Sequence, residues 1–176
     1  FRYSTAGAHL LSAIITRTTG MSAREFANQY LFGPIGMKTL PDYKITAANP
    51  MGFFQGRYVK GWVSDPAGNS AGGWGLTLTP RDMARFGYLY LNHGLWGQAR
   101  IVPETWVGES AAVTPNNYGY LWWLFGGGYA AMGDGGNIIF CPPEKDVVIA
   151  ATASLSPDSS RLTALIMEEI IPMALA

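Results

Sequence analysis

Charge is scarce in this sequence. Asp, Glu, Lys and Arg make up only 14% of the 176 residues, against about a quarter in ordinary soluble domains. The 12 basic and 12 acidic side chains cancel. No basic run is legible, so nucleic acid is not an expected partner. Cysteine is nearly absent: Cys141 stands alone, which excludes an internal disulfide and leaves the redox compartment open. Apolar runs stop at about eight residues, far short of the roughly 20 that cross a bilayer. No membrane span is expected.

Several chemical signatures are missing as well. His9 and His93 have no second ligand at metal spacing, so no metal site is expected. There is no GxxxxGK[ST] phosphate loop and no GxGxxG opening a helix after a strand. No cofactor is expected. Gly126-Gly127-Gly128 reads as a hairpin turn. There is no GxSxG elbow. There is also no Ser-x-x-Lys: Ile35, Pro41, Arg57 and Pro142 stand three positions before Lys38, Lys44, Lys60 and Lys145.

What remains is apolar and turn-rich: 48% hydrophobic, 13% aromatic, with 22 glycines. Residues 5 to 18 read as a helix, with Ser4 or Thr5 as N-cap and Gly20 as C-cap. Its apolar stripe is Ala8, Leu11 and Ile15, widened by Leu10 and Ile14. Ser22-Ala23-Arg24-Glu25 is a capping box opening a second helix to about Phe32. Residues 38 to 75 are loop-rich, with short strands expected around Tyr58 to Val63. Thr79-Pro80-Arg81-Asp82 starts another helix, with Met83, Phe86 and Tyr90 inward and Asn92-His93-Gly94 at its end. Asp82 and Arg85 on that helix read as surface or interlobe ion-pair residues. Pro103 begins a shorter helix.

From Asn117 the helical period is lost. Tyr118 to Phe125 is apolar on both faces, as in a strand covered on both sides, with Trp122 and Trp123 as packing residues. Tyr129 to Met132, Asn137 to Cys141 and Asp146 to Ala153 suggest three more strands. Ser156-Pro157-Asp158 caps a final helix to about Met173, with Leu162, Leu165, Ile166 and Ile170 inward. The pattern is α+β. It suggests a helical, loop-rich lobe over 1–116 and antiparallel strands with a C-terminal helix over 117–176.

A set of segments in fixed order adds to this reading. Phe1-Arg2-Tyr3-Ser4-Thr5 is followed by Leu10-Leu11 and Thr19-Gly20-Met21-Ser22. Leu31-Phe32-Gly33-Pro34-Ile35-Gly36-Met37 comes next, then Ala71-Gly72-Gly73-Trp74 through Thr79-Pro80-Arg81-Asp82-Met83-Ala84-Arg85-Phe86-Gly87. Tyr118-Gly119-Tyr120-Leu121-Trp122-Trp123 and Gly133-Asp134-Gly135-Gly136 close the series. Together they resemble the serine β-lactamase and penicillin-recognising family, most of all its class C-like, esterase and 6-aminohexanoate-dimer-hydrolase-like branches. The resemblance covers essentially the whole chain, but only the C-terminal part of the family's domain.

The resemblance implies a partial β-lactamase/transpeptidase-like fold: one domain lacking its N-terminal part. It implies an amide or ester hydrolase working through an acyl-enzyme, on a small-molecule ester or amide. The family's Ser-x-x-Lys element would precede Phe1, so the chain alone is expected to be inactive. Tyr3-Ser4-Thr5 matches the YxN element. Tyr3 would shuttle the proton as a catalytic residue, and Thr5 would contact substrate where the family usually has Asn. A hydroxyl there replaces an amide's donor and acceptor. Asp134-Gly135-Gly136 matches the KTG or HxG element as a substrate-binding turn. Asp134 puts an anion where the family has a cation, which favours short esters or small amides over β-lactams. The Asn137 N–H would donate to an oxyanion. The same residues also suit packing for Tyr3 and turn-bracing for Asp134. A descendant that binds a peptide or protein without turnover is the competing reading. A periplasmic or secreted location follows the resemblance, with the cytoplasm open. A bare apolar face suggests a homodimer or association with the missing segment.

Overall fold

The computed structural model describes residues 1–56, 58–153 and 160–174. The chain forms two compact units, Phe1–Leu78 and Thr79–Ala176. The change of hydrophobic period near 117 falls inside the second unit.

The first unit opens with α1 (Thr5–Thr19). Ser4 is its N-cap, accepting the Gly7 N–H at 3.0 Å, and left-handed Gly20 ends it. The capping box at Ser22 starts α2 (Ala23–Ala27), which continues into a π-type turn, Asn28–Phe32. β1 (Asp42–Tyr43) and β2 (Trp62–Val63) pair in parallel, with the short α3 (Gly52–Gln55) between them.

α1 presents a different face from the one its apolar spacing suggests. Leu10, Leu11 and Ile14 are exposed, at 64%, 51% and 55%. Ser12 is buried instead. The reason is what α1 packs on. The segment from Asp65 to Gly73 offers a carboxylate, a carbonyl and an N–H, and His9 and Ser12 turn inward to meet them.

The second unit is layered. α4 (Pro80–Leu91) is capped by Thr79, whose hydroxyl accepts the Asp82 N–H. The hairpin β3 (Leu95–Trp96) and β4 (Ala99–Arg100) and the helix α5 (Glu104–Ser110) follow. A four-stranded antiparallel meander then forms in sequence order: β5 (Trp123–Phe125), β6 (Gly128–Gly133), β7 (Asn137–Cys141) and β8 (Ile149–Ala151). The C-terminal helix comprises α6 (Ser160–Leu165), a π-type turn Ile166–Ile170 and α7 (Ile171–Ala174).

The period of two along β7 builds both layers. Ile138 and Phe140 join Ala130 and Ile166 in a buried cluster, with Leu162, Met167 and Ile170 packed around it. Ile139 and Cys141 face the other way, against α4. A Cβ at Gly87 would lie 2.5 Å from Val148 Cγ1 and 2.9 Å from Ile139 Cγ2. The bare glycine is what lets α4 lie this close.

Three sequence expectations are corrected here. Tyr118 to Trp122 is not strand: Leu121 takes a left-handed φ of 67°, and Gly119 and Trp122 close a turn that leaves only Trp123–Phe125 extended. Trp122 is buried and stacks on Phe86, while Trp123 stays 36% exposed. The last strand begins at Ile149 because Pro143–Lys145 form a 3-10 turn ending in left-handed Asp146. Leu165 is 43% exposed, because the inward row is Leu162, Ile166 and Ile170, spaced by four, and Leu165 lies off it. The expected cap at 156–158 lies outside the described residues.

Candidate active site

The site residues expected from the sequence fall into two sets, one in each unit. In the first unit, Tyr3 precedes the N-cap and is 53% exposed. Ser4 points its hydroxyl back at the helix. Thr5 is the first helical residue, which settles the choice of cap in favour of Ser4.

The chain at Gly72-Gly73 lies across the opening turns of α1. A Cβ at Gly72 would stand 2.2 Å from the Ala8 carbonyl oxygen, and one at Gly73 2.4 Å from Thr5 Cγ2. Only glycine permits that approach. Polar contacts fix the segment on both sides. Ser12 Oγ donates to the Ser70 carbonyl at 2.6 Å, and Ser70 Oγ accepts the Arg24 N–H at 3.0 Å. His9 Nε2 lies 3.1 Å from Asp65 Oδ2, and His9 Nδ1 accepts the Gly72 N–H at 3.3 Å.

Asp65 is itself built in. Asn69 gives it a side-chain N–H and a backbone N–H, at 2.9 and 2.8 Å. These donors, the Asn69 side chain foremost, hold the Asp65 carboxyl below its ordinary value despite some desolvation. His9, Asp65, Ser64 and Trp74 line a hollow of about 180 Å³. Trp74 stacks on Phe54, their rings 5.7 Å apart and 14° from parallel.

The His9–Asp65 pair was not legible in the sequence. Its members are 56 positions apart, and neither carries a local signal. The buried Ser12 and Ser70 were missed for the same reason.

In the second unit, Asp134-Gly135-Gly136 is the turn between β6 and β7, closed where Gly133 faces Asn137. Gly135 and Gly136 take φ of 78° and 91°, the left-handed region a side chain would strain. Asn137 opens β7, and its side-chain N–H donates to the Asp134 carbonyl. The turn is therefore braced by the Asn137 amide. The Asp134 residue is exposed. Among the described residues, no group of three His, Cys, Asp or Glu could hold a metal ion, and no helix is long and apolar enough to cross a membrane.

Comparison with known proteins agrees with this architecture. The chain is 25% identical over 179 residues to the 6-aminohexanoate-dimer hydrolase of Paenarthrobacter ureafaciens, covering 92% of this chain and 41% of that protein. A solved structure described as "Putative 6-aminohexanoate-dimer hydrolase from Bacillus anthracis" superposes with a TM-score of 0.77 at 23% identity, over 99% of this chain and 43% of that one. The chain thus spans less than half the length of these relatives, and its fold is the β-lactamase/transpeptidase fold in part. The Beta-lactamase family matches residues 1–168, nearly the whole sequence, and the chain belongs to that family.

Proposed function

We propose that the chain is part of a serine hydrolase that cleaves a short ester or small amide through an acyl-enzyme. The observation that carries this is the family match from residue 1 to 168, together with an exposed Tyr3 at the head of a capped helix. The serine and its base come from a segment outside the 176 residues, which contain no Ser-x-x-Lys. A serine hydroxyl needs a base to become a nucleophile. Tyr3 relays that proton. The Asn137 N–H stabilises the oxyanion, as preorganised donors do. Thr5, Asp134, Gly135 and Gly136 contact the substrate. The reaction needs no cofactor.

The relatives' printed names speak of a 6-aminohexanoate dimer, an amide that also carries a carboxylate, which fits here only with that end turned away from Asp134. The exposed Asp134 disfavours a substrate carboxylate beside it, so a small amide or ester fits better than a β-lactam. The apolar row Leu10, Leu11 and Ile14 on α1 is the face that a further segment, or a second copy, covers. A periplasmic or secreted location accords with the family.

A second reading has its own support. Thr5 and Asp134 both depart from the family's pattern at chemical positions, which suits a binding domain without turnover. One experiment separates the two. The longer protein carrying this chain is treated with a fluorophosphonate and with penicillin, and its intact mass is read. A single adduct supports the hydrolase; no adduct, in a folded protein, supports the binding domain.

A further inference from the structure

His9 makes two bonds that ask for opposite things. Gly72 directs an N–H at Nδ1, which must therefore be unprotonated. Asp65 accepts at Nε2, which must carry the proton. Both bonds form only in the neutral ring with hydrogen on Nε2. Protonation keeps the Asp65 bond and strengthens it by charge. It also sets an N–H against the Gly72 N–H. The two halves of the clamp thus respond oppositely.

We propose that His9 is a positioning residue whose protonation state holds or releases the Gly72-Gly73-Trp74 strap over the head of α1, and with it Thr5. The strap is where leverage on the candidate site is greatest. Gly73 lies so near Thr5 Cγ2, and Gly72 so near the Ala8 carbonyl, that neither leaves room for a Cβ, and Trp74 walls the hollow. Asp65 cannot follow the strap, because Asn69 holds it twice. The release is therefore one-sided.

No other charged group competes for the ring among the described residues. On α1 the remaining charge is Arg17, two turns away. On α2, Arg24 and Glu25 pair with each other, and Arg24 also reaches the Leu40 carbonyl. The strap carries no titratable side chain. The consequence for substrate contact rests on reading Tyr3-Ser4-Thr5 as a site element. The clamp itself does not.

The test is nuclear magnetic resonance on the isotope-labelled 176-residue chain across a pH series. Three signals are followed: the His9 ring nitrogens, Gly72 amide exchange corrected for its intrinsic rate, and the Thr5 methyl. At high pH the ring shows hydrogen on Nε2. As His9 titrates, Gly72 exchange accelerates about five-fold or more, the scale of one lost hydrogen bond. The Thr5 methyl shifts in the same step. His9→Gln offers a donor to Asp65 and an acceptor to Gly72 at every pH, so it keeps the protection and abolishes the step. His9→Ala is unprotected throughout. If His9→Ala does not fold, His9→Gln decides alone. Gly72 protection that ignores the His9 titration, or a step that persists in His9→Gln, overturns the clamp. A Thr5 methyl that stays fixed while Gly72 is released overturns the positioning role.

Discussion

Single residues carry more of this structure than the low charge suggests. Cys141 is fully buried on β7, with its thiol 3.7 Å from the Gly87 carbonyl. Burial pushes its pKa from an ordinary 9.0 up to about 12. The folded state favours the neutral thiol, so this contribution to stability is whole below pH 9 and is lost as pH rises from there towards 12. Native protein at pH 8 is expected to react with an aromatic disulfide reagent only as fast as the second unit opens, and unfolded protein at once. A fast native reaction would show that the thiol is reached without opening. Asp65 has the opposite sign. Its carboxyl sits below an ordinary 3.8, so its contribution is present above that pH and disappears as pH falls through the lower folded value. Asp65→Asn should therefore flatten the acid limb of a thermal-melt series on the chain. An unchanged limb would mean that other carboxylates govern it.

At the scale of elements, α4 is the piece on which the second unit is assembled. Its cap is doubled: the Thr79 hydroxyl accepts the Asp82 N–H and donates to the Asp82 carboxylate at 2.7 Å. Asp82, 4% exposed, is then neutralised by Arg85 at 3.3 Å. Thr79→Ala should cost about 1–2 kcal/mol in denaturant unfolding. Gly87→Ala sets two rules against each other. Helix propensity predicts a gain of up to about 1 kcal/mol. The added methyl would instead meet the stiff branches of Val148 and Ile139, and overpacking of that kind costs about 1–3 kcal/mol. The clash wins, and the variant should melt lower than the parent; a higher melting point would refute this packing. These elements also mark what the sequence could and could not tell. The capped helices at Ser4, Ser22 and Thr79 were legible because a cap is a local device within four residues. The strands β6 and β7 were legible as short apolar segments beside glycine turns, once the helical period is lost. The inward face of α1 was not, because it is decided by the polar chain of 65–73, more than 50 positions away. In the same way Tyr3 and Asp134 could be singled out by resemblance, while the His9 clamp beside Thr5 needed coordinates.

For the molecule as a whole, the distribution of apolar surface is the fact with most consequence. A helix normally buries its apolar stripe and shows water its polar side. α1 does the reverse, burying Ser12 while Leu10, Leu11 and Ile14 stay exposed. Adjacent exposed side chains of this size form a patch that water disfavours and that another surface relieves. Replacing Leu10 and Ile14 by Ser removes apolar area without touching the His9 or Ser12 contacts. Monomer stability should then change little, since exposed substitutions usually stay within about 0.5 kcal/mol. Self-association should change much more. Sedimentation of the parent chain is expected to show a concentration-dependent rise in mass that the double variant lacks. If both sediment identically as monomers, α1 is not a sticky face in the isolated chain. If both associate equally, the contact lies elsewhere. The longer protein supplies the complementary measurement. There the same substitutions should lower the melting point by several degrees, because a segment that covers α1 would lose its seat.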